Sequence, residues 1–130
     1  MMTRPLTRDA ILSADDLQTE SVDCPEWQGT VTIRELNGSE RDSFEEGSLD
    51  KRRNLSMANI RARLVAMSAI GEDGERLFTK ADAEALGKKS AAALNRCFEV
   101  SCSLSGITSD DVDELEKNSE GNPVAVLGSN

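Results

Sequence analysis

Residues 22–45, VDCPEWQGTVTIRELNGSERDSFE, decide the fold. Val22 and Cys24 alternate with polar Ser21 and Asp23, the period of a half-buried strand. Pro25 has no N–H for a ladder, so that strand stops there. Trp27 is the only Trp of the chain, and Gly29 allows the backbone to reverse. Thr30-Val31-Thr32-Ile33-Arg34 then alternates again, with β-branched residues at four of five positions. Leu36 falls out of that alternation, which ends the second strand near Glu35. Asn37-Gly38 breaks the pattern, and Ser39 is placed to cap a helix through Phe44. The stretch reads as a β-hairpin feeding a helix. It carries no catalytic chemistry.

Toward the N-terminus, Met1 to Pro5 reads as a loose arm. Arg8 to Asp16 reads as a short helical turn whose Ile11 and Leu12 dock on the body. Thr19 to Cys24 and Thr30 to Glu35 form the hairpin. Two strands alone are marginal in water, so the hairpin needs a helix on one face or a partner strand. Its open edge is a natural place for self-association or for another chain.

Toward the C-terminus, Glu46 to Arg53 is a polar loop. Asn54 to Ile70 is the longest helical segment. Leu55, Ala58, Ile60, Ala62, Leu64, Met67 and Ala69 give it an apolar face, with Arg61 and Arg63 pointing elsewhere. Gly71 ends it, and Asp73-Gly74 supplies turn chemistry before Leu77 and Phe78. EDGERLF is therefore either a second small hairpin or an extended connector. Thr79 with Asp82 is a capping-box variant opening a helix through Leu86, which Gly87 closes. Ser90 to Leu104 is the next helix, with Leu94, Cys97, Phe98 and Ser101 on one stripe and Gly106 at its end. Thr108 with Asp111 repeats the cap and opens Asp110 to Lys117, whose charges suit the helix dipole. From Ser119 the tail GNPVAVLGSN reads as disordered. The fold class is α+β: a small N-terminal β-hairpin packed on a mainly α-helical body with a flexible C-terminal tail. Its organisation is an arm over 1–18, a domain over 19–118 and a tail over 119–130.

Composition narrows the function. The 130 residues are 38% hydrophobic but only 3% aromatic, so the core is aliphatic, with Trp27, Phe44, Phe78 and Phe98 its only large rings. Fifteen basic against 24 acidic residues give a net charge of −9. Such a surface repels nucleic-acid backbones and anionic membranes, and it suits a well-dissolved protein or one with a basic partner. No apolar window has the length of a membrane span, and MMTRPLTRDAILSADDL lacks the apolar run of a signal peptide. Three cysteines are no disulfide framework, so the cytosol is the simplest compartment.

The chain has no histidine, which removes the commonest general base, the Ser-His and Cys-His pairs and most catalytic zinc sites. Cys97 and Cys102, five apart on a helix, point about 140° apart and do not chelate one metal. Both read as buried small hydrophobes, as does Cys24. Asp110-Asp111-Val112-Asp113-Glu114 fails as a calcium loop, because the sixth position counted from Asp111, which needs glycine, is Glu116. Lys51-Arg52-Arg53 sits beside Glu45, Glu46 and Asp50 and reads as a solvated loop. No glycine-rich phosphate loop occurs. Catalytic, cofactor and metal residues are therefore expected to be none. Trp27 either pins the hairpin turn to a helix or stands exposed as a binding anchor. Patterning offers Trp27, Phe44, Leu64 and Met67 as candidate partner-binding residues.

The Pro25-Glu26-Trp27 turn, the TVTIREL strand and the short acidic helix beginning SERDSFE resemble the tail assembly chaperones of long-tailed siphophages. The same order of segments continues through RARLVAMSAIGEDGERLFTKADAEALGKKSAAALNRCFEVSCSLSGITSDDVDELEKN, so the resemblance spans Thr3 to Asn118. It implies a non-enzymatic protein of the infected bacterium's cytoplasm, absent from the mature virion. Such a protein binds the tape measure protein and keeps it soluble until tail tube subunits polymerise around it. It also implies a longer form, made by ribosomal frameshifting near the end of the reading frame, whose extension recruits tail tube protein. The family shares no catalytic residues, so none is carried over. A different class, an acidic nucleic-acid mimic or adapter on a host protein, predicts carboxylates along one face; here they cluster at helix starts and in loops. An enzyme subunit working with carboxylates alone needs a carboxyl pair in an apolar pocket, which nothing marks.

Overall fold

The computed structural model describes residues 4–47 and 59–107. Helix α1 (Arg8–Leu12) starts where Thr7 Oγ1 accepts from Ala10 N at 3.1 Å. Ile11 and Leu12 do not dock: they are 54% and 67% exposed, and Leu6 is open as well. A five-residue helix buries too little for its ordering to be offset.

Strands β1 (Thr19–Cys24) and β2 (Gly29–Arg34) pair antiparallel from Thr19↔Arg34 to Cys24↔Gly29. The reversal is not made at Gly29, which is already paired. A 3-10 turn over Pro25–Trp27 carries the chain round, and Gln28 takes the left-handed conformation at φ 61°. Pro25 fits because its fixed φ suits a helical first position that needs no N–H.

Asn37, not Ser39, caps helix α2 (Gly38–Gly47). Asn37 Oδ1 accepts from Glu40 N at 2.8 Å, and Glu40 Oε1 accepts from Asn37 N at 2.9 Å. This is a capping box in which Asn replaces Ser or Thr.

The central helix α3 spans Ile60–Ser68. Its expected start at Asn54 lies outside the described residues, but Asn59 at φ 59° interrupts any helix running through it. Its expected end is also too late. Ala69–Ile70 form strand β3, which pairs antiparallel with β2 through Thr32↔Ile70 and Ile33↔Ala69. The sheet therefore has three strands in the order β1-β2-β3. EDGERLF resolves as a tight return: Gly71 N donates to Glu75 O at 2.9 Å, Gly74 takes φ 81°, and Ile70 bridges Arg76.

A second 3-10 turn, Lys80–Asp82, leads into α4 (Ala83–Leu86), and Asp82 Oδ2 accepts from Thr79 N at 2.8 Å as its spacing implied. Gly87 adopts φ −64°, so helix termination is not why glycine is there. A Cβ at Gly87 would collide with the Asn59 side chain, whose Nδ2 donates to Ala83 O at 3.1 Å. Helix α5 (Ala91–Ser105) is capped by Ser90 Oγ, which accepts from Ala93 N, and ends at Gly106 with φ 72°.

One sheet face packs on α5 and α3 through Val22, Cys24 and Ile33, while Ser21, Asp23 and Thr30 face solvent. Helix α3 lies between the sheet, α5, α4 and α2. That enclosure buries Ile60, Ala62, Leu64, Val65, Ala66 and Ser68, more than one face of the helix. The expected α5 stripe of Leu94, Cys97, Phe98 and Ser101 is all buried. The acidic helix expected over 110–117 and the tail lie outside the described residues.

Candidate partner-binding surface

Among the described residues no group of histidine, cysteine and carboxylate side chains could hold a metal ion, and no helix is long and apolar enough to cross a membrane. The features that remain are clefts and charge. An apolar cleft of about 140 Å³ opens between the end of α2 and the C-terminal half of α3. Phe44, Ala66, Met67 and Ala83 supply its apolar wall. Arg63, Arg76 and Lys80 supply its charge, and no carboxylate lines it among the described residues. Three cations around an apolar wall stand out in a chain of net charge −9.

Local structure explains each position. Met67 lies one turn after Arg63 on α3, so both face α2. Arg63 is half-buried, contrary to the expectation that it points away, and burial holds its guanidinium below its ordinary pKa. Arg76 is brought in by the tight return after β3.

Arg76 is also anchored by a charged cluster centred on Glu40. Glu40 accepts from Arg34 Nη2 at 2.6 and 2.7 Å and from Arg76 Nη2 at 3.0 Å. Desolvation would raise the Glu40 pKa. The Asn37 backbone N–H and the Arg34 and Arg76 guanidiniums outweigh it and hold the carboxyl below its usual range. One carboxylate thus joins the end of β2, the start of α2 and the return after β3. The Asn-x-x-Glu spacing was the available signal for it, and reading Ser39 as the cap concealed it.

The structure brings Phe44 and Met67 together on this cleft but leaves the other two candidates elsewhere. Leu64 is 0% exposed, enclosed in the core and without surface for a partner. Phe44 is nearly buried at 4%, so it supports the wall more than it offers area. Met67 is half-buried, and a thioether chain re-packs readily against varied apolar groups. Trp27 is half-buried at the hairpin tip, packed against the core, where Arg96 pairs with the neighbouring Glu26. A second cleft, lined by Asn59, Arg61, Lys89 and Asn95, is more polar. There Arg61 lies 5.4 Å from the Phe98 ring centroid and donates to Asn95 Oδ1.

No family model matches the chain, and no curated protein does. A solved structure, the bacteriophage HK97 tail assembly chaperone, shares the fold at a TM-score of 0.53 and 17% identity, over 74% of this chain and 94% of that one.

Proposed function

We propose that this chain is a phage tail assembly chaperone that binds the tape measure protein in the host cytoplasm, keeps it soluble and hands it to the assembling tail tube. The observation that carries this reading is the fold likeness to the HK97 tail assembly chaperone, which extends over 94% of that protein. The chemistry of the surface supports it. A tape measure protein is long and helical, and a helix binds a groove through spaced apolar anchors. The Met67 cleft offers an apolar wall with Lys80 beside it, which suits an apolar anchor next to a carboxylate. The remaining acidic surface keeps a complex with an aggregation-prone client dissolved. The chaperone acts by binding, without cofactor or catalysis. A frameshifted longer form recruiting tail tube protein belongs to the same reading, as does self-association through the open edge of β1.

Co-expression with the tape measure protein of the same phage tests it. The client is expected to stay soluble and to co-purify with the chaperone. Met67→Asp is expected to lower recovery at least several-fold while far-UV circular dichroism stays unchanged. Client that is equally insoluble with and without this chain, in both its short and its longer form, would sink the reading.

A further inference from the structure

Cys24 closes β1 and Cys97 sits mid-way along α5, 73 positions later in the chain. Their sulfurs lie 3.7 Å apart, and neither residue has exposed surface. Cys102 is half-buried and lies on another side of α5. The geometry points to Cys24 and Cys97 as a closable dithiol: a small-molecule disulfide oxidises the pair to a disulfide that staples the hairpin to α5.

A sulfur–sulfur bond is about 2.05 Å long, so the two atoms approach by roughly 1.7 Å, a shift that two side-chain rotations share. Access is the obstacle. Burial and the facing Cys24 push the Cys97 thiol up to about 12, so Cys97 offers no thiolate at neutral pH while the hairpin is closed. Oxidation therefore proceeds when the hairpin lifts from α5. The first thiolate uncovered attacks the reagent disulfide, forming a mixed disulfide and releasing one thiol. When the hairpin closes again, the second thiolate attacks the protein sulfur of that mixed disulfide and releases the other reagent thiol. Two electrons pass from the cysteine pair to the reagent, and the two protons leave with the released thiols. The chain has three cysteines, so once Cys24 and Cys97 are joined Cys102 stops at a mixed disulfide.

The test uses the full-length C102S chain with oxidised glutathione at neutral pH, read by non-reducing intact mass and by alkylation. The expected product has lost the mass of two hydrogens, carries no glutathione and resists iodoacetamide after unfolding. Its formation is expected to be on the order of tenfold faster in mild urea, which favours hairpin opening. Its melting temperature is expected to rise by several degrees, because a long loop is closed in the unfolded chain. Wild-type protein is expected to give the same link plus one glutathione, and the C24S/C102S chain a single glutathione adduct. C102S protein that ends with glutathione on both cysteines, or that keeps both thiols free after prolonged oxidation in mild urea, would overturn the proposal. So would a cross-linked product that melts no higher than the reduced chain.

Discussion

At the scale of single residues, Glu40 carries more of the architecture than any other polar group described. It is only 15% exposed, accepts two bonds from Arg34 and one from Arg76, and closes the cap at Asn37. Hydrogen bonds to charged groups contribute more than neutral ones, so Glu40→Gln is expected to cost about 2 kcal/mol at neutral pH in urea unfolding. The pH dependence has a definite sign. The folded Glu40 pKa lies below the unfolded value of about 4.3, so its stabilisation is complete above that pH and disappears as pH falls through the folded pKa. Wild type and Glu40→Gln should therefore differ fully at pH 7 and converge in acid; a gap that stays constant down to pH 2 would show that packing rather than charge is involved. Leu64 makes the contrasting case. With no exposed surface, Leu64→Ala is expected to cost about 2–5 kcal/mol, and Leu64→Asp to unfold the chain, as read by loss of cooperative thermal melting. Client binding by a folded Leu64→Asp protein would contradict its place in the core.

At the scale of elements, the cap of α2 separates the two assignments directly. Asn37→Ala removes the acceptor for Glu40 N and is expected to cost about 1 kcal/mol, while Ser39→Ala should change the urea midpoint very little. The reverse order of effects would restore Ser39 as the cap. The pattern of success and failure along the chain is physical. Strand β1 and the α5 stripe were legible because each buries one face, and one-sided burial writes a period into sequence. Helix α3 is enclosed by four neighbouring elements, so its pattern did not mark where it ended or that Arg63 turns inward. Strand β3 is two residues long, too short to alternate, and exists only because β2 offers Thr32 and Ile33 as partners. The cleft escaped for a related reason. Its apolar wall joins Phe44 and Met67, which were singled out, to Ala66 and Ala83, and its cations come from three separate segments that only tertiary packing assembles.

At the scale of the whole molecule, charge acts in two opposed ways. A net charge of −9 on 130 residues makes the folded chain repel itself, a long-range effect that salt screens over a Debye length of about 10 Å at 0.1 M. The described ion pairs act locally, and those on the surface, such as Arg8–Asp9 and Arg41–Glu45, contribute little. The Glu40 cluster is partly buried and is screened much less than they are. Repulsion is thus the term most sensitive to ionic strength, and screening it favours the compact state. The melting temperature at pH 7 is expected to rise by a few degrees between 10 and 200 mM sodium chloride. Glu40→Gln should show nearly the same rise, since its deficit comes from a partly buried cluster that salt screens little and not from the overall field. A melting temperature that falls with salt would mean that surface ion pairs outweigh self-repulsion. The same field bears on the proposed binding: a client whose carboxylate meets Lys80 must approach through a negative surface, so salt should speed its association even as it weakens the contact at the cleft. Association measured by stopped flow over that salt range separates the two, with the on-rate and the off-rate both expected to increase.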